Sequence, residues 1–215
     1  MKITLIGATG FIGSKTLEET LNKGYQVTAV LRDPSKLKVE HPNLKKIQGD
    51  IFDTDGLAKI ISGSDAVLDS YNPGWTDPNI RENMINGSLS ILGATKKAGV
   101  KRIIVMGGAG SLEVQPGVQL IDTPEFPKEY FAGADGARQI LNHLRSENEL
   151  EWTFLSPSAV IEPEGTKTGK YRFSKESLLV DANGHSHISL ADLVKAFVDE
   201  LEERKYVKQR FTVGY

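Results

Sequence analysis

Lys2-Ile3-Thr4-Leu5-Ile6-Gly7-Ala8-Thr9-Gly10-Phe11-Ile12-Gly13 opens the chain. A short apolar run (Ile3, Leu5, Ile6) breaks into a glycine-rich turn, and the turn leads into a segment with helical spacing. In such a strand–turn–helix setting Gly7 permits the tight turn, Gly10 lets a phosphate approach the backbone, and Gly13 lets the helix pack on the strand. The helix N-terminus then offers unpaired N–H groups and a partial positive charge to a diphosphate. The sequence therefore predicts a dinucleotide site built from Gly7, Thr9, Gly10, Phe11, Ile12 and Gly13.

The segments that follow alternate strand and helix. Ile12, Thr16, Leu17, Thr20 and Leu21 share a helical face, and Asn22-Lys23-Gly24 ends that helix. Tyr25–Leu31 reads as a second strand, 44–48 as a third, 66–71 as a fourth, 100–106 as a fifth and 151–155 as a sixth. Helices are predicted around Leu57 and Ile61, from Ile80 to Lys97, and from about Glu129 to Ser146. This is the pattern of an α/β, Rossmann-like doubly wound parallel sheet. Beyond about 157 the chain is polar with aromatics. Leu178–Ile188 reads as a small hairpin turning on Asn183-Gly184, Ser189 with Asp192 as a capping box, and Leu190 to Leu201 as a last helix. A closing strand covers 209–213. At 215 residues the chain is expected to form a single domain, with 157–215 a substrate-side appendage.

Composition excludes several classes of function. The formal net charge is −2, and basic residues do not cluster in sequence, so no nucleic-acid partner is expected. The chain has no cysteine, which removes disulfides, thiolate metal sites and thiol catalysis. No apolar run approaches the ~20 residues of a membrane span, and Met1-Lys2 leads straight into the first strand without a signal-peptide pattern. A cytoplasmic protein, monomer or homodimer, is the expectation.

Candidate contacts cluster at strand ends, where open α/β sheets bind ligands. Arg32 ends the second strand, about 20 residues past the glycine turn. Its guanidinium suits the 2′-phosphate of NADP, with NAD the alternative because Asp33 follows. Asp50 either touches adenine or fixes the approach to a helix. Ser70, Gly107 and Ser156 end the fourth, fifth and sixth strands. Gly107-Gly108-Ala109-Gly110 is read as backbone that approaches a ligand closely, and 112–127 as a structureless lid or binding loop. Trp75 tips the loop after the fourth strand. His185 and His187 alternate on a strand without evident carboxylate partners, so no metal is expected. Glu162 and Glu164 read as solvated.

Taken together, Gly7–Gly13, Ala98-Gly99-Val100-Lys101-Arg102 before a strand, Gly107–Val114, Trp152–Ser158 and Arg210–Val213 resemble the atypical short-chain dehydrogenase/reductases. The closer resemblance is to bacterial NADH-flavin reductases related to biliverdin reductase B. This implies an NAD(P)H-dependent oxidoreductase, with Ser111 where the superfamily's catalytic Ser stands and Tyr130 the nearest candidate for its Tyr. The lysine expected four residues after the Tyr is missing: position 134 is alanine, and no lysine lies between Lys128 and Lys167. A flavin or quinone-like conjugated acceptor is therefore expected. The alternatives are a non-catalytic redox sensor of the NmrA-like kind and, third, a sugar-nucleotide epimerase or dehydratase.

Overall fold

Ile3, Leu5 and Ile6 are all buried in β1 (Lys2–Ile6), as a strand covered on both faces requires. The computed structural model describes residues 1–215. The glycine turn leads into α1 (Phe11–Asn22), then β2 (Gln26–Leu31), β3 (Leu44–Gln48), α2 (Thr54–Ile61), β4 (Ala66–Asp69), α3 (Ile80–Lys97) and β5 (Arg102–Met106). After these come β6 (Glu113–Gln115), β7 (Val118–Gln119), α4 (Lys128–Arg145), β8 (Glu151–Ser156), β9 (Val160–Glu162), β10 (Arg172–Ser174), β11 (His187–Ser189), α5 (Leu190–Glu203) and β12 (Gln209–Gly214).

Eight strands form one sheet in the order β10-β12-β8-β5-β4-β1-β2-β3. All neighbours are parallel except β10, which runs antiparallel to β12. Strand order reverses at β1, which pairs with both β2 and β4. A topological switch point therefore lies directly below the glycine turn. Successive residues of β1 feed opposite faces. Leu5 joins the core under α1 and α5, while Ile6 joins the core under α2, α3 and α4. The doubly wound α/β fold expected from the sequence is present. No helix is long and apolar enough to cross a membrane.

One polar tie crosses this core. Arg102, at the start of β5, donates to Glu200 of α5 at 2.9 Å and to the Thr153 hydroxyl of β8 at 2.7 Å, with both charged side chains almost fully buried. Desolvation of both charges offsets most of their attraction, so such a pair adds little net stability, while loss of either partner would leave a buried charge uncompensated.

Three local expectations need correction. Residues 112–127 are not structureless: Glu113–Gln115 and Val118–Gln119 pair antiparallel across a turn at Gly117. Leu112 and Ile121 are buried, so apolar anchors hold the segment down. The 178–188 hairpin does not form. Its turn does, closed by the Asp181 N–H to the His185 carbonyl, but β11 pairs in parallel with β9 instead. Half of the capping box is present. Ser189 Oγ accepts from the Asp192 N–H at 3.0 Å, whereas the Asp192 carboxylate accepts from Thr168, Gly169 and Tyr215.

Candidate active site

Gly7 adopts φ +83°, a conformation open to glycine and strained for other residues. The turn closes through the Gly10 N–H to the Gly7 carbonyl at 2.9 Å. A β-carbon at Gly13 would lie 2.0 Å from that same carbonyl oxygen, so glycine there is what lets α1 sit on the turn. Around Gly10 the case differs: an added β-carbon meets only the Gly7 oxygen, at 3.3 Å. Gly10 is the N-cap of α1, no side chain caps the helix, and its first turn holds no acid. The N–H groups and positive dipole end of α1 are thus left to an external anion. This is a cradle of the right chemistry for a dinucleotide diphosphate, bordered by Thr9, Phe11 and Ile12. Ser70 borders it as well, since a β-carbon at Gly7 would meet the Ser70 carbonyl oxygen at 2.4 Å.

Arg32 is exposed just beyond β2. Asp33 is committed to the chain's own turn, where its Oδ1 accepts from the Ser35 N–H at 3.0 Å and the Ser35 hydroxyl at 2.7 Å. These two bonds, the hydroxyl's first, hold its carboxyl below the usual range. Asp50 Oδ1 likewise accepts the Phe52 N–H at 2.9 Å, a turn contact that leaves its second oxygen uncommitted. Arg32→Ala should weaken NADPH binding roughly ten- to hundredfold, the range for a hydrogen bond to a charged group, and leave NADH nearly unchanged. Equal losses for both cofactors in calorimetric titrations would sink the 2′-phosphate assignment.

At the end of β4 lies a group that sequence reading passed over. Asp69 is 2% exposed. Its Oδ1 accepts the Tyr71 N–H at 2.9 Å, and Oδ2 has no partner. Burial pushes its carboxyl up to about 7 against the pull of that one hydrogen bond. The signal available was an acid directly continuing the apolar run Ala66-Val67-Leu68.

Ser111 is 3% exposed, in a short 3-10 turn over the α4 side of the sheet. Both its carbonyl and its hydroxyl oxygen accept from Arg210 Nη1, at 3.0 and 3.1 Å. With Oγ accepting from arginine, the hydroxyl proton is free to be donated to a ligand. Arg210 was missed as a positioning residue; its signal was a lone cation inside the closing strand. Two of the preceding glycines serve packing. A β-carbon at Gly107 would lie 2.0 Å from the Phe154 ring, and one at Gly110 would lie 2.9 Å from the Ala134 β-carbon. At these two positions the missing side chain makes room for neighbouring residues, while at Gly108 an added β-carbon would meet only the Ala137 β-carbon at 3.5 Å, so the backbone there stays open to approach.

Tyr130 is 47% exposed and meets Trp75 edge-on with ring centroids 5.1 Å apart. Ala134 occupies the lysine position and packs on Gly110. No lysine follows Tyr130 anywhere in α4. Ser156 of β8 is fully buried beside Thr212 of β12, and neither hydroxyl has a partner. His187 does have a carboxylate partner, contrary to expectation: its Nδ1 lies 2.8 Å from Glu162 Oε1. Strands 25 residues apart bring the two together, a pairing that sequence spacing could not indicate.

A family model for NAD(P)H-binding proteins matches residues 7–204. The uncharacterised protein YwnB of Bacillus subtilis is 38% identical over 215 residues, covering 99% of this chain and 98% of that one. A candidate epimerase from Bacteroides thetaiotaomicron superposes with a TM-score of 0.93 at 43% identity, over all of this chain and 96% of the other. A candidate NADH-flavin reductase from Streptococcus pneumoniae superposes at 0.84 with 32% identity, over 100% and 99% of the two chains. The glycine cradle, the switch point and these likenesses agree: the chain belongs to the NAD(P)H-binding family of Rossmann-fold proteins.

Proposed function

We propose that this protein is an NADPH-dependent reductase that passes hydride to a conjugated acceptor of the flavin or quinone class. The observation that carries the proposal is a buried Ser111 hydroxyl held by Arg210, in a site without a Tyr–Lys pair. A reduced nicotinamide bound along the glycine cradle would supply the hydride. Reduction of an isolated ketone concentrates charge on one oxygen and needs a proton donor or oxyanion stabiliser in place. A flavin or quinone spreads the charge over its rings, so one hydrogen bond from Ser111 is sufficient orientation and the proton can come from water. Trp75 and Tyr130 then serve as an exposed aromatic shelf for a planar ring. The name of the Streptococcus relative supports this reading. Epimerisation of a sugar nucleotide, suggested by the name of the Bacteroides relative, fits less well because it calls for the missing Tyr–Lys base.

Steady-state rates with NADPH against matched panels of flavins, quinones and simple ketones test the proposal. Turnover of the conjugated panel with near-inertness toward ketones is expected. Tyr130→Phe should cost less than the ~100-fold that loss of a general acid brings. Robust ketone reduction that collapses in Tyr130→Phe would overturn the reading. No turnover on any panel, with NADPH still bound, would favour a non-catalytic sensor.

A further inference from the structure

We propose that a second cleft, between the C-terminal end of α4 and the amino ends of β8 and β12, is a binding site for a phosphate-type oxyanion. The cleft has a volume of about 320 Å³. Arg145, Lys175, Lys208 and Arg210 line it, with Glu176 the one acid and Trp152 the one apolar side chain. Trp152 is the second residue of β8 and Lys208 immediately precedes β12. The cleft therefore lies toward the opposite end of the strands from the glycine cradle and is separate from the cofactor's diphosphate site.

Charge alone favours an anion: four cations face one carboxylate. Glu176 Oε2 already bridges two of them, accepting from Arg145 Nη2 at 2.8 Å and from Arg210 Nη2. A carboxylate thus stands where an external oxyanion would bridge the same guanidinium groups. Lys208 donates to the Asn148 carbonyl, which leaves its charge unneutralised. It does so from φ +56°, a conformation unfavourable for lysine.

Two buried donors point to the same ligand. Arg210 has a side-chain exposure of 1% and an Nε–H without an acceptor. Trp152 is 4% exposed, and its indole N–H is also unpaired. Buried donors are almost always satisfied, and both of these belong to residues that line one cationic cleft. An oxyanion with several acceptor oxygens, entering as the half-exposed Glu176 swings aside, would meet both.

Arg210 gives the site a consequence. The guanidinium that would hold the anion through Nη2 and Nε holds Ser111 through Nη1. Anion binding would therefore fix Arg210, and with it the Ser111 hydroxyl. The assignment of the cleft stands apart from the choice of acceptor.

Because the chain has two tryptophans, Trp75→Phe makes Trp152 the sole tryptophan, excited selectively at the red edge of the protein absorption band. This variant, saturated with oxidised NADP to occupy the glycine cradle, is titrated with inorganic phosphate and separately with citrate, at ionic strength held constant with potassium chloride. Trp152 fluorescence and the melting temperature are both read. Phosphate should give a saturable response. Lys175→Ala with Lys208→Gly should weaken it roughly tenfold, and Glu176→Gln, which removes the internal competitor, should tighten it roughly threefold. Absence of a saturable response in both readouts, or one unchanged in the lysine variant, overturns the site. A response to citrate but not to phosphate overturns the ligand class.

Discussion

Gly10→Val should abolish NADPH binding while the unliganded protein stays folded. Gly10 has φ −78° and ψ 173°, extended backbone that a β-branched residue adopts readily. A β-carbon there finds open space apart from the Gly7 oxygen at 3.3 Å, so the fold should lose little. The cofactor loses far more. Isopropyl carbons would stand in front of the first N–H groups of α1, where the diphosphate accepts hydrogen bonds worth roughly 1.5–3 kcal/mol each. Loss of two such bonds lowers affinity by more than about a hundredfold. Gly13→Ala makes the contrast, since its β-carbon would lie 2.0 Å from the Gly7 carbonyl oxygen. Backbone has to move to relieve that clash, so this variant should melt early even without cofactor. Calorimetric titration with NADPH and thermal melts of the two apo variants separate the cases. Normal binding by Gly10→Val would place the cofactor elsewhere on the molecule.

Why that turn was legible in sequence, and much of the substrate side was not, comes down to the range of the interactions. Gly7, Gly10 and Gly13 act on one another within a single turn, and Leu5 and Ile6 reveal a strand buried on both faces by adjacency alone. Asp33 fixing its own turn is equally local, since its partner Ser35 is two residues away. Arg210 and Ser111 lie 99 residues apart, and only the pairing of β12 with β8 brings the closing strand under the 3-10 turn. His187 meets Glu162 for the same reason, through a parallel β9–β11 pair that the Asn183-Gly184 turn signal argued against. That signal reported the turn correctly. It carried no information about which strand His187 would join, because a turn fixes its own backbone and leaves longer-range pairing to burial. In 112–127, proline and glycine obscured two anchors, Leu112 and Ile121, whose burial comes from tertiary packing rather than from a local period. A glycine in sequence gives no sign of whether a ligand or a neighbouring ring fills the vacated space; at Gly107 the Phe154 ring takes it up, and at Gly108 nothing crowds it.

Asp69→Asn should stabilise the protein at pH 8 and leave it unchanged at pH 4. Burial lifts the Asp69 carboxyl from 3.8 to about 7. Between those values the folded protein retains a proton that the unfolded chain has released. The stability this proton carries is complete below about pH 4 and falls as pH rises through the window. Above about pH 7 the loss is constant, on the order of 4 kcal/mol by linkage. Asparagine has the same shape, accepts the same Tyr71 N–H, and carries no charge to desolvate. Tyr71, pushed up to about 12 by burial and then by the Asp69 charge, stays neutral throughout this range and adds nothing to the difference. Melting temperatures should coincide at pH 4 and diverge to roughly 10 °C at pH 8, with the variant higher. Parallel curves across that range would show that Asp69 ionises freely in the folded state. The placement of the group gives its protonation a bearing on the cofactor. Asp69 pairs in register with Ile6, the residue before the glycine turn, so a charge formed there would lie close to the bound diphosphate. NADPH affinity of the parent protein should therefore decline above pH 7 relative to Asp69→Asn, here through repulsion between the new carboxylate and the diphosphate rather than through desolvation.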